Sequence, residues 1–239
     1  MKRLYKDART APHPRGTVVL LDGRPARTPR RHELAVPSLA LARAIAAEWS
    51  AQDDTVRPAS MPLTRLAATT LDVVAAERAR IVDDVAGYAG TDLVCYRAEA
   101  PADLVRRQAA QWQPLVDWAM ERFDAPLRVT TGIVPVAQPE QALRALRRAV
   151  EARDDWRLAA LATATAAAGS LVVALALAEG RLSAEDAWHA SQLDEAYQIE
   201  QWGEDPEAAL RRGMLRADIA AARHFLDLLD RNDAGEGPP

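Results

Sequence analysis

Side chains able to do chemistry concentrate in one stretch, Leu193-Asp-Glu-Ala-Tyr-Gln-Ile-Glu-Gln-Trp-Gly-Glu-Asp205, which mixes carboxylates, amides such as Gln198, and aromatics. Asp205 followed by Pro206 predicts a helix start, because an aspartate cap and a proline at the first helical position both suit the unpaired amides there. Glu204 and Asp205 should then stabilise that helix terminus, with Asp194 and Glu200 solvated. Glu195 is harder to dismiss. On one continuous helix, positions 188, 192, 195, 199 and 202 share a face, which sets Glu195 between Trp188 and Trp202 with Gln192 and Ile199 beside it. A carboxylate on an aromatic face needs a partner. That partner is internal or comes from another protein, for which tryptophans are typical anchors; on the residues alone the internal one is the simpler reading. The alternative is an enzyme of unrecognised class using Glu195 or Asp205 as acid or base, since carboxylate sites need no fixed motif.

Other catalytic signatures are missing. The sequence has no phosphate-cradling glycine-lysine loop, no dinucleotide fingerprint, no helix with paired metal-binding histidines and no serine elbow, and its 11 glycines are scattered. Neither nucleotide, cofactor nor metal is therefore expected. Cys95, the one cysteine, rules out an intramolecular disulfide. It has no histidine nearby in sequence and reads as a small buried residue within Thr91-Asp-Leu-Val-Cys-Tyr-Arg97, whose acidic and basic members are expected to pair. His13, His32, His189 and His224 show no ligand spacing and read as surface or capping residues. The six tryptophans, at helical spacing, read as core.

The elements that must position these residues begin with strands. Gly16-Thr-Val-Val-Leu-Leu is β-rich, Asp22-Gly23 suits a tight hairpin turn, and Arg24 to Pro29 would return along a proline-blunted edge. Ser38 caps a helix that buries Leu39, Ala42, Ile45 and Trp49. Beyond a break at Pro58 and Pro62 the pattern is helical. Leu63, Leu66, Thr70 and Val74 mark one helix, and Ile81, Val85 and Tyr88 a second that ends at Gly90. Ala102 to Phe123 forms a third, kinked or split at Pro114, and Leu127 to Val136 a short extended segment. Gln138 to Arg153 is a basic amphipathic helix. Leu158 to Ala178 carries no charge and is long enough to span a bilayer; its alanine content and Gly169-Ser170 favour two buried helices. A helix opened by Ser183 runs to Gly203, and the last buries Leu210, Ala217, Ala221, Phe225 and Leu228.

The fold class expected is α+β: a small N-terminal α/β domain with a β-hairpin (residues 1–60), then a larger, mainly α-helical orthogonal bundle (61–231) and a flexible tail (232–239). A formal charge of −4 and pI near 5.7 give no reason to expect nucleic acid, and no membrane insertion or secretion signal is apparent.

Leu21-Asp-Gly-Arg-Pro25, Arg27-Thr-Pro29, Ala47-Glu-Trp49, Met61-Pro-Leu-Thr-Arg-Leu66, Thr91 to Arg97, Trp112-Gln-Pro-Leu115, Gly169-Ser170 and Trp202-Gly-Glu-Asp205 together resemble the family of ATP synthase assembly chaperones dedicated to the alpha subunit. Their order and spacing agree from Tyr5 to about Leu229. The resemblance implies no nucleotide hydrolysis. It implies binding of free alpha subunit on a surface that beta later covers, and an essential acidic residue in the C-terminal helices, best matched by Glu195 and then Asp205. Trp188, Gln198 and Trp202 are expected to accompany these acids at the partner-binding surface. A start so close to Tyr5-Lys-Asp implies a bacterial cytoplasmic member, with a processed mitochondrial matrix form as the alternative.

Overall fold

The computed structural model describes residues 2–132 and 134–231; the expected tail at 232–239 lies outside them. Strand β1 (Ala8–His13) pairs antiparallel with β2 (Gly16–Leu21), which turns through Asp22 (φ 48°) and Gly23 (φ 78°) into β3 (Arg24–Pro25). Two successive positive φ values suit the primed turn that matches strand twist. The return strand is shorter than expected: its last ladder bond is from the Ala26 amide to the Val19 carbonyl, and β4 (Ala35–Val36) pairs with the start of β2. Gly16 is required where β2 begins, since a Cβ there would sit 2.3 Å from the Val36 carbonyl oxygen.

Helix α1 (Leu39–Ser50) is capped by Ser38, whose Oγ accepts from the Leu41 amide. It buries Leu41, Ala42 and Ile45; Trp49 is only partly covered. A 3-10 turn (Pro58–Ser60) leads into α2 (Pro62–Thr69), a π-helical turn (Thr70–Val74) and α3 (Ala75–Gly87). The Glu48 carboxylate on α1 accepts the Leu63 and Thr64 amides and the Thr64 hydroxyl at 2.7–2.8 Å, placing an anion at the α2 N-terminus. This clamp binds α2 to α1. By contacts the described residues fall into two units, the first made of residues 2–78 and 224–231 and the second of Ala79–Arg223.

In the second unit, 3-10 turns at Tyr88–Thr91 and Leu93–Cys95 precede β5 (Tyr96–Arg97), which pairs parallel with β6 (Thr130–Thr131). Helix α4 (Ala102–Phe123) runs unbroken through Pro114. It buries Gln108, Trp112 and Leu115 on one face. The amphipathic α5 (Glu140–Glu151) follows. The uncharged run is the expected pair, α6 (Asp155–Ala168) and α7 (Leu171–Ala178), separated by Gly169 in the left-handed region at φ 65°. Residues 171–177 are buried on every side, so α7 forms the centre of this unit. Among the described residues no helix is long and apolar enough to cross a membrane. Helices α8 (Ala184–Ser191), α9 (Leu193–Trp202) and α10 (Pro206–Asp230) complete the chain, the last turns of α10 belonging to the first unit. The fold is α+β, with a small strand-bearing N-terminal region and a mainly helical remainder, as expected.

Candidate functional site

The single helix expected from Ser183 to Gly203 is two. Gln192 breaks it at φ −113°, ψ 16°. In an unbroken helix the Ala190 carbonyl would accept the amide four residues on; here it takes the Trp112 indole N–H at 2.8 Å. Gln192 N and Ser191 Oγ both donate to the Trp188 carbonyl, and Ala196 N to the Gln192 carbonyl starts the next helix. The face shared by positions 188 to 202 therefore does not run through. Trp188 is buried beneath the Arg212 guanidinium, 5.4 Å from its ring centroid, whereas Trp202 is 78% exposed and departs from the core reading.

The carboxylates of this segment have different fates. Asp194 is half-buried and accepts from the Gln108 side-chain amide at 2.7 Å; burial pushes its pKa up against that bond and the Arg97 charge. It is not solvated as expected. Glu200 pairs with Arg107 at 2.7 Å, and Arg107 also lies over the Tyr197 ring. Glu204 pairs with Arg212 at 2.6 Å. Asp205 caps α10 as expected, its Oδ2 accepting the Glu207 and Ala208 amides at 2.9 and 3.0 Å. Glu195 is exposed and has no hydrogen-bond or ion-pair partner among the described residues, so the internal partner of the simpler reading is absent there.

Glu195 and Asp205 line one cleft of about 830 Å³ between α9 and the first turns of α10, with Leu93, Leu210, Arg211 and Met214 among its other walls. Trp188, Gln198 and Trp202 are not in its lining. Leu210 is 72% and Met214 63% exposed, which corrects the reading of Leu210 and Ala217 as inward-facing. Among the described residues the first three turns of α10 carry no fully buried side chain; burial starts at Ile219. Sequence reasoning missed Met214 and Arg211. The signal was present, since Leu210 and Met214 stand one turn apart among Arg211, Arg212 and Arg216, more cationic surroundings than a buried face tolerates.

Two buried polar clusters sit elsewhere. Asp92 accepts Ser170 Oγ at 2.5 Å, Val172 N at 3.0 Å and Val94 N at 3.3 Å, so it reinforces the N-terminus of α7. It does not pair with Arg97 as expected. Arg97 instead donates to the Val94 and Gln108 carbonyls, and its charge lies 5.5 Å from the Trp112 ring. In the first unit, Asp72 on the π-helical turn accepts Thr28 Oγ1, Arg30 N and His32 Nδ1 at 2.6–3.0 Å. Cys95 is fully buried, as expected; burial first, then the Asp92 charge, pushes its thiol up to about 12, which leaves no thiolate for nucleophilic work. No three His, Cys, Asp or Glu side chains among the described residues are grouped to hold a metal.

A family model described as "ATP12 chaperone protein" matches residues 2–120. The mitochondrial protein atp12 of Schizosaccharomyces pombe is 24% identical over 214 residues, covering 84% of this chain and 74% of the relative. The crystal structure of Atp12 from Paracoccus denitrificans is similar with a TM-score of 0.91 and 40% identity, over 95% of this chain and 98% of that one. A crystal structure from Agrobacterium tumefaciens is similar at the same TM-score and identity, over 96% of this chain and 86% of that one.

Proposed function

This chain belongs to the ATP12 chaperone family, and from that premise we propose that it is an ATP synthase assembly chaperone which holds the unassembled alpha subunit until beta displaces it. It acts by contact, with no bond made or broken, in a bacterial cytoplasm or a mitochondrial matrix. A subunit made for an obligate ring exposes apolar interface that self-associates when unpaired, and a reversible cover prevents this.

The observation that supports the reading best is the exposed apolar pair Leu210 and Met214 in one cleft with Glu195, which has no partner among the described residues. Apolar side chains left uncovered beside a free charge are a feature of surfaces that meet another protein. Trp202 and Gln198 are exposed on α9 outside the cleft lining and are assigned to the rim of the contact. Asp205 contributes less as an acid or base, because its Oδ2 is occupied by the α10 amides. Displacement by beta requires an appreciable off-rate and so a modest affinity.

Light scattering of purified alpha subunit during dilution from denaturant tests the proposal. Wild-type protein suppresses aggregation, and Glu195→Lys suppresses it less while its helical circular dichroism stays unchanged. Aggregation of alpha unaffected by the wild-type protein overturns the reading.

A further inference from the structure

We infer that the cleft between α9 and α10 takes a client segment in which an apolar anchor side chain stands beside an arginine or lysine; the inference rests on the chaperone reading and names what that same site recognises.

Charge complementarity decides the occupant. Of the four acids lining the cleft, Asp194 is bonded to Gln108 and Asp205 to two amides, whereas the carboxylates of Glu195 and Glu207 have no partner among the described residues. Of the bases lining it, Arg212 is held by Glu204 and by the Gln192 side-chain oxygen. Glu195 is therefore an unneutralised acceptor, and a guanidinium or ammonium answers it where a carboxylate or an uncharged residue does not. Arg211 stands on the α10 wall among the cleft's lining residues, one position from Leu210. It disfavours a segment with two adjacent cations and so restricts the match to one.

The apolar half of the match comes from Leu210 and Met214, at i and i+4 on α10, with Leu93 also in the lining. Methionine's flexible thioether accommodates varied side chains, which suits a surface that must accept a chain not yet in its final packing. Apolar contact supplies adhesion and the Glu195 pair supplies register. A client held this way dissociates faster as salt rises, because its one charge pair is exposed enough to be screened.

Affinity for purified alpha subunit, measured by titration calorimetry at 50 and 300 mM NaCl, tests the inference. Wild type should weaken several-fold at the higher salt. Glu195→Gln should bind about fivefold more weakly at 50 mM and lose most of the salt dependence, and Met214→Ser should bind roughly tenfold more weakly at both salts. Both positions are exposed, so neither change should alter the melting temperature. Loss of binding in Met214→Ser alone, with Glu195→Gln like wild type, overturns the cation part of the match. Wild-type affinity in both variants overturns the cleft as the site and leaves the chaperone reading standing. Failure of the wild-type protein to bind alpha overturns that reading itself.

Discussion

Gln108 on α4 donates its side-chain amide to the Asp194 carboxylate at 2.7 Å, one residue before Glu195, and so ties the start of α9 to the buried face of α4. The same glutamine accepts the Ala98 amide on its side-chain oxygen and an Arg97 guanidinium N–H on its backbone carbonyl. The cleft wall that carries Glu195 is thus set from behind by a residue that is 1% exposed. Gln108→Leu orphans the Ala98 amide and the Asp194 carboxylate, and should cost about 2–4 kcal/mol in urea unfolding.

Asp194 gives a pH prediction. Burial raises its folded-state pKa despite Gln108 and Arg97, so the fold favours the protonated form. Its ionisation costs stability above the unfolded carboxylate value of about 3.9, and that cost disappears as the pH falls through the raised value and then below 3.9. Asp194→Asn keeps an acceptor for Gln108 without the charge. It should melt at or above the wild-type temperature at pH 7, with the difference vanishing near pH 3.

Asp72 carries the opposite sign. Burial pushes its pKa up, but bonds from Thr28, the Arg30 amide and His32 outweigh it and hold the value below normal. Its contribution is present above about pH 3.9 and is lost as the pH falls through the lower folded value. Asp72→Ala should cost about 2–4 kcal/mol at pH 7, because it leaves the Thr28 hydroxyl and the Arg30 amide unpaired. Denaturant unfolding of wild type and variant should converge in strong acid.

Burial raises the Asp92 pKa against its hydrogen bonds, yet replacement even by its amide should be costly. Two donors meet Oδ1 and the Val172 amide meets Oδ2, so an asparagine NH2 would face either an N–H or a hydroxyl already donating. Asp92→Asn should destabilise the helical unit by about 2–4 kcal/mol, seen as a lower melting temperature. Leu210→Ser should leave that temperature unchanged, within about 0.5 kcal/mol, while protecting alpha less well.

How much of this was legible in the sequence depended on the range of the interactions involved. The Asp22-Gly23 turn, the Ser38 cap, the Gly169 break and the Asp205 cap are written in neighbouring residues and appear where expected. The break at Gln192 was not legible, because it depends on Trp112, 78 residues away from the carbonyl it takes. Asp92 with Ser170, 78 residues apart, was hidden for the same reason and was mistaken for a local pair with Arg97. At the candidate site, Glu195 was found by its aromatic setting, although the helix assumed to provide that setting is broken. Leu210 was misassigned because helical spacing identifies a face without saying whether anything covers it.

The claim that protection comes from contact alone is tested most directly by titrating the protein against a fixed amount of refolding alpha subunit, with and without ATP. Suppression of aggregation should saturate near one chaperone per alpha, should be indifferent to ATP, and should end in release when beta is added. Full protection by a small fraction of an equivalent, or protection that requires ATP, would contradict it.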